Sequence, residues 1–196
     1  RDGRASYIRK WVQTRALHDE IERGKVELSG IMGPYDLSRV AGHEVESMNP
    51  DYCKDTSNTT LNFHNGRILS AWYNAGRVYS LDPLTLETEG EQDFAGGLDT
   101  PMNAHGKTDP RTGEFINYGY ADFQPWLTYY VIGADGSVKH RTRIDLPGPR
   151  LPHDTTITPN FTILHDFPLF HDVDVLKRTG HRVVQFTCQP IAFSGN

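Results

Sequence analysis

Cysteine is scarce in this sequence: two occur in 196 residues, Cys53 and Cys188, far apart along the chain. They could form one disulfide at most and nothing in their spacing requires it, so a reducing cytoplasm is the expected compartment. Long apolar runs are lacking too. No stretch approaches the ~20 consecutive apolar residues of a membrane-spanning helix. The opening Arg1-Asp2-Gly3-Arg4 has no secretory-signal pattern, so the sequons Asn58-Thr59-Thr60 and Asn160-Phe161-Thr162 carry no weight. Positive charge is scattered, and the net charge is −5. Phosphate backbones demand clustered Lys and Arg, which excludes a nucleic-acid surface. No Gly-x-Ser-x-Gly elbow, phosphate-binding glycine loop or Cys-x-x-Cys pair is present, which removes the usual signals of acyl transfer, nucleotide binding and thiol redox chemistry.

What is there is a turn-rich globular composition, with Gly 18, Pro 12 and aromatics at 11%. The length suits one domain, 1–196, with a real core. One helix is predicted from Thr14 to Gly24, with Leu17 and Ile21 at i, i+4 and Gly24 past its end. After a loop from Ser29 to Thr60, strands dominate. Asn65-Gly66 between Leu61–His64 and Ile68–Tyr73 is a two-residue hairpin signal. Leu127–Ile132 and Ser137–Ile144 flank a longer connection, and Thr155–Ile163 and Arg182–Thr187 are further strand candidates.

His64, His105 and His153 recur at roughly 40 to 50 residues, each beside a new group of strands, which matches the size of one propeller blade. A β-sandwich would also give short strands with frequent turns. Imidazoles held by different strands can converge on one metal, and His105 and His153 both lie at loop–strand junctions. A histidine satisfied by nearby backbone is the competing reading for each. His165-Asp166, His171-Asp172 and Asp174 form a dense group that reads as a metal site or, more simply, a solvated charged loop. Glu44, Glu46 and Asp51 read as surface charge. Trp72, Tyr73, Trp126, Tyr129 and Tyr130 read as strand aromatics packing in a core or rim.

Two histidine segments carry a family resemblance. Met102-Asn103-Ala104-His105-Gly106-Lys107-Thr108-Asp109-Pro110-Arg111-Thr112-Gly113-Glu114 resembles the Met-Thr-Ala-His-Pro-Lys-x-Asp-Pro-x-Thr-Gly-Glu motif of the carotenoid cleavage oxygenases. That family includes lignostilbene-type dioxygenases and a retinoid isomerase. Leu151-Pro152-His153-Asp154-Thr155-Thr156-Ile157-Thr158-Pro159-Asn160-Phe161 is similar to its second motif, Met-x-His-Asp-Phe-x-Ile-Thr-x-Asn-Tyr. Arg4-Ala5-Ser6-Tyr7, Asn58-Thr59 and Leu81-Asp82-Pro83-Leu84-Thr85-Leu86-Glu87-Thr88 match further segments in order.

The resemblance implies an all-β fold, a portion of a seven-bladed β-propeller of about three blades, with a short helical segment near the N-terminus. It implies a non-haem Fe(II) held by four histidines, with His105 and His153 as the first two. It also implies glutamates that orient ligand histidines, and one such position is occupied here by Asn74. An amide can accept from an imidazole N–H but brings no charge, and changes of this kind cost about 10–100-fold in metal affinity or activity. Gly106 stands in place of the usual Pro, and Thr155 in place of the usual Phe. The implied activity is cleavage of a conjugated C=C bond of a carotenoid or apocarotenoid by O2, giving two carbonyls. The alternatives are the same chemistry on a stilbene or phenylpropanoid, the isomerase branch, and a non-catalytic propeller portion. The partners implied are an apolar conjugated small molecule and O2, and any peripheral membrane contact falls to parts outside this chain. The family's third and fourth ligands lie beyond the matched segments, and His165, His171 and His181 do not match them in context.

Overall fold

A computed structural model describes residues 3–30, 33–38, 54–73, 77–98, 100–122 and 124–186. Its centre is a pair of four-stranded antiparallel meanders. The first runs β1 (Thr60–His64), β2 (Arg67–Ala71), β3 (Tyr79–Leu81), β4 (Thr88–Glu91), in that spatial order. The second repeats the plan with β5 (Lys107–Thr108), β6 (Phe115–Tyr120), β7 (Leu127–Ile132) and β8 (Val138–Arg143). Asn65 and Gly66 both have positive φ, at 47° and 74°, and close β1 onto β2 with His64 opposite Arg67. That is the geometry a tight hairpin requires. The first strands of the two sheets lie side by side, where the Thr108 hydroxyl donates to the Phe63 carbonyl at 3.1 Å.

Helix α1 (Arg15–Arg23) forms where its sequence signals place it. Thr14 caps it by accepting from the Leu17 N–H at 3.2 Å, and Gly24 ends it at φ 65°. Buried Asp55 fastens it to the first sheet, its carboxylate accepting from the Ala16 N–H at 3.2 Å and the Tyr79 hydroxyl at 2.5 Å. Burial, then the Asp55 bond, pushes the Tyr79 phenol far above its ordinary range.

Two local readings change. Thr155–Ile163 is a hairpin of β9 (Thr156–Ile157) and β10 (Thr162–Ile163), not one strand. Pro159 cannot donate to a ladder, and the Thr158 hydroxyl accepts from the Phe161 N–H at 2.9 Å to fix the turn. Past β11 (Leu169–His171) a further helix, α2 (Val173–Thr179), precedes β12 (Val184–Phe186), which pairs antiparallel with β11. Asp172 caps α2 by accepting from the Val175 N–H at 2.8 Å, and Gly180 ends it at φ 72°. Only Leu176 is buried from this helix, so its periodic signal was too faint to register in the sequence.

The main core lies between the two sheets and contains Leu69, Ala71, Val78, Phe94, Phe115, Tyr130 and Ile132. A second cluster, built on Tyr118, Tyr120 and Leu127, packs against Tyr73, Ile144, Leu151 and Leu164. A buried charge group then ties β11 and β12 to the second sheet. Asp122, in the loop after β6, binds the His171 ring and accepts from Arg182 at 2.7 Å. Burial acts to raise the Asp122 carboxyl, but Arg182 and His171 outweigh it and hold the group ionised, far below its usual range. The expected solvated loop at His171-Asp172 is therefore corrected. His171 is 3% exposed, because a carboxylate 49 residues away in the chain supplies the partner its burial requires. Among the described residues no helix is long and apolar enough to cross a membrane.

Removing one member of a buried ion group costs about 3–5 kcal/mol. Asp122→Ala should lose stability on that scale in urea titration, and an unchanged midpoint would contradict the role given to the triad. A second outcome concerns pH. His64 is buried and donates from Nε2 to the Gly133 carbonyl at 2.9 Å. Burial lowers its pKa, against the opposing pull of Gly133 and Asp135. Folding therefore favours the neutral ring. Its contribution should be complete above the unfolded value of about 6.5 and decline as pH falls through the lowered folded value. Thermal midpoints of wild type and His64→Gln against pH should converge on the acid side.

Candidate metal centre

The stretch Thr100–His105 enters the protein interior alongside β6. The Asn103 N–H donates to the Tyr118 carbonyl at 2.7 Å, and the Thr100 hydroxyl lies 3.0 Å from the Tyr130 hydroxyl. This approach requires a residue without a side chain on the neighbouring strand. A Cβ on Gly119 would sit 2.0 Å from the Pro101 carbonyl oxygen. Met102, Asn103 and Ala104 are fully buried, and His105 emerges half-buried just before β5. The turn that follows is organised by Asp109, which accepts from the Arg111 N–H at 2.9 Å and its guanidinium at 2.7 Å. Those bonds hold the Asp109 carboxyl down at about 2. Gly113 closes the turn at φ 72°.

His153 reaches the same place from the segment after β8. The Tyr118 hydroxyl donates to the Pro152 carbonyl at 2.6 Å, and the Asn103 amide nitrogen donates to the His153 carbonyl at 3.2 Å. The Lys107 ammonium donates to the His105 carbonyl and to Asp154, both at 2.7 Å. The rings of His105 and His153 end with centroids 4.7 Å apart and planes inclined by 35°. Tyr73 lies against His153 at 5.5 Å and Tyr120 against Tyr73 at 6.3 Å, so an aromatic wall flanks the pair.

The electrostatics favour a neutral His105 ring. Burial lowers the His105 pKa, assisted by His153 and Lys107 and opposed by Asp154. Its Nε2 is buried with no hydrogen-bond partner among the described residues. A buried polar atom left unsatisfied costs about 1–3 kcal/mol unless something else binds it. Two imidazoles in neighbouring positions on one metal, with metal–nitrogen bonds of about 2.1 Å, put ring centres about 4–5 Å apart. The orphan nitrogen and the observed spacing therefore fit a metal such as iron, zinc, copper or nickel.

The other candidates are not brought to this pair. His64 is spent on the Gly133 carbonyl and His171 on Asp122. His165 packs on Phe167 at 4.4 Å, Asp166 pairs with Arg150 at 3.2 Å, and Asp172 caps α2. Among the described residues no group of three or more His, Cys, Asp or Glu side chains could hold a metal. Asn74, Glu44, Glu46, Asp51, Cys53 and Cys188 lie outside the described residues. Trp72 and Tyr130 are buried, in line with their reading as packed strand aromatics. Sequence reasoning missed Asn103, Tyr118 and the Asp122 group. Only Asn103 left a signal, since an Asn two residues before a loop histidine is a common local turn former.

Comparison with known proteins agrees with this architecture. The family described as RPE65, retinal pigment epithelial membrane protein, matches residues 1–190. A carotenoid 9,10(9',10')-cleavage dioxygenase 1 of Phaseolus vulgaris is 32% identical over 90% of this chain and 34% of that protein. An isoeugenol monooxygenase of Pseudomonas nitroreducens is 31% identical over 90% of this chain and 36% of that protein. The crystal structure of Pseudomonas brassicacearum lignostilbene dioxygenase superposes with a TM-score of 0.70 at 28% identity, over 90% of this chain and 35% of that one. The chain thus spans about a third of the length of the relatives it matches.

Gly106 is the residue of the motif that the local packing constrains most directly. A Cβ there would lie 2.6 Å from the Phe115 ring and 2.8 Å from the Asn117 amide carbon. Overpacking of this kind costs about 1–3 kcal/mol. Gly106→Ala should lower the unfolding free energy by that amount in denaturant titration, and a neutral result would show that the Phe115 ring can move aside.

Proposed function

The chain belongs to the retinal pigment epithelial membrane protein family, and on that premise we propose that it carries part of the active centre of an oxygenase that cleaves conjugated C=C bonds. Its two four-stranded sheets are blades of the family's seven-bladed β-propeller. In this reading His105 and His153 are two of the four ligands of a non-haem Fe(II). When bound, the iron supplies a site at which O2 is activated, so that both oxygen atoms enter the products as the alkene splits into two carbonyls. The observation that carries the reading is the buried, unpartnered His105 Nε2 beside the His153 ring, 4.7 Å away between centroids.

The protein's own residues bind and orient. His105 is kept neutral by burial, the protonation state that lets a ring nitrogen donate its lone pair. The Lys107 bridge to the His105 carbonyl and Asp154 fixes the backbone beneath the first ring relative to the segment of the second. Tyr73 lies against the His153 ring and is backed by buried Tyr120, an aromatic flank that suits a conjugated substrate with little hydrogen-bonding capacity. Asn74, at the position where the resembled motif has a glutamate, would orient a ligand ring through its carbonyl oxygen without adding charge.

A carotenoid or apocarotenoid is the leading substrate class. A stilbene or phenylpropanoid is the second reading, favoured by the matches to isoeugenol and lignostilbene oxygenases at similar identity. The cysteine usage keeps a reducing cytoplasm as the compartment.

The test is iron content of the full-length protein that includes this chain, purified with Fe(II) under argon. About one iron per chain is expected, with a loss of at least ~10-fold in His105→Ala and in His153→Ala. Oxygen uptake should follow addition of an apocarotenoid or a stilbene, and the faster of the two names the class. Folded, metal-free protein, or iron that survives both substitutions, would overturn the reading. Double-bond isomerisation without oxygen uptake would move the protein to the isomerase branch.

A further inference from the structure

The stretch around His105 differs from the motif it resembles at the residue two places before the histidine, where Asn103 replaces threonine. That substitution changes the hydrogen-bonding inventory. A threonine hydroxyl carries one hydrogen, whereas a primary amide has a separate acceptor and two donors on opposite arms. Both arms are used here. The Asn103 Oδ1 accepts from the His105 N–H at 2.5 Å, while its Nδ2 donates to the His153 carbonyl at 3.2 Å and the Pro152 carbonyl at 3.4 Å. One side chain thus spans the backbones of both histidines.

The clamp is itself held rigidly. Asn103 is 1% exposed, its N–H donates to the Tyr118 carbonyl at 2.7 Å, and its carbonyl accepts from the Asn117 amide at 2.9 Å. The bond pattern also fixes which way the amide faces. Its oxygen meets a backbone donor and its nitrogen meets two carbonyls, so a flipped amide would set acceptor against acceptor on one side and donor against donor on the other. A side chain with no freedom to rotate transmits the position of one histidine segment to the other.

We propose that Asn103 is a positioning residue that sets the separation of the His105 and His153 rings, and thereby the affinity of the site for a divalent metal, without touching the metal. The inference rests on the reading of His105 and His153 as ligands. Asn103→Thr and Asn103→Ser keep an oxygen able to accept from the His105 N–H but delete the arm to the His153 segment. Asn103→Ala deletes both arms.

The experiment is Co(II) titration of the metal-free full-length protein, read from the visible d–d absorption, with circular dichroism at the same temperature to confirm folding. Substitutions in the groups that orient ligands typically cost about 10–100-fold in metal affinity. The Thr and Ser variants should weaken Co(II) binding on that scale and shift the absorption band, with saturating stoichiometry unchanged. The Ala variant should be weaker again. If Ala does not fold, the Thr and Ser pair carries the result. Folded Thr and Ser variants that bind Co(II) within about twofold of wild type, with the same band, would overturn the positioning role and leave the ligand assignment standing. A wild-type protein that fails to bind Co(II), or His105→Ala that binds it as tightly as wild type, would overturn both.

Discussion

The site depends on the hydrogen bond between the Asn103 N–H and the Tyr118 carbonyl, 2.7 Å long, which lays an irregular stretch of chain against β6. Without that contact Thr100–Ala104 would be a surface loop, and its buried polar groups would have no partners. The contact is possible because Gly119 presents no side chain to Thr100 and Pro101. It also places Asn103 beneath the Pro152–His153 segment, so one backbone bond determines where both histidines begin. β6 in turn is held by a full six-residue register with β7, from Phe115↔Ile132 to Tyr120↔Leu127. The rigidity of the second sheet is thereby passed to the ring pair.

Around that stretch several buried polar groups have an assigned use. Thr100 meets Tyr130, Asn117 meets the Asn103 carbonyl, and the Tyr118 hydroxyl meets Pro152. The His105 Nε2 is a buried nitrogen with no partner among the described residues, as are the His171 Nε2 and the Tyr120 and Thr128 hydroxyls. Interiors seldom leave such atoms unsatisfied, and what distinguishes His105 is the second imidazole beside it, the His153 ring 4.7 Å away between centroids. The neighbouring Asp122 group holds its histidine differently. There the His171 Nδ1 meets a carboxylate that also accepts from Arg182, while the His171 Nε2 is, like that of His105, buried with no partner among the described residues.

Much of this could be read directly from the residues. Thr14 and Gly24 mark the ends of α1, Asn65-Gly66 fixes the β1–β2 hairpin, and the order of the motif segments gives the family and its propeller fold. These features are local or depend on linear order, and the chemistry of a cap or a two-residue turn needs no distant partner. The pairing of His105 with His153 was implied by resemblance, while residue spacing alone left each with a bland backbone-bonded alternative. Helix α2 escaped notice because a seven-residue helix with one buried side chain has too little periodicity to stand out.

By itself, then, the sequence determined the secondary structure where caps and turns are strong, the repeating sheet plan, and the identity of the two histidines most worth following. Tertiary structure decided which histidines meet. Of three histidines set at similar intervals, His64 is consumed by the Gly133 carbonyl and only His105 and His153 face each other. It also decided that His171 is a buried partner of Asp122 and not part of a solvated loop. The physical reason is that hydrogen-bond partners separated by 49 to 69 residues in the chain leave no periodic trace. Their pairing is set by sheet register and by which carbonyl or carboxylate burial leaves within reach.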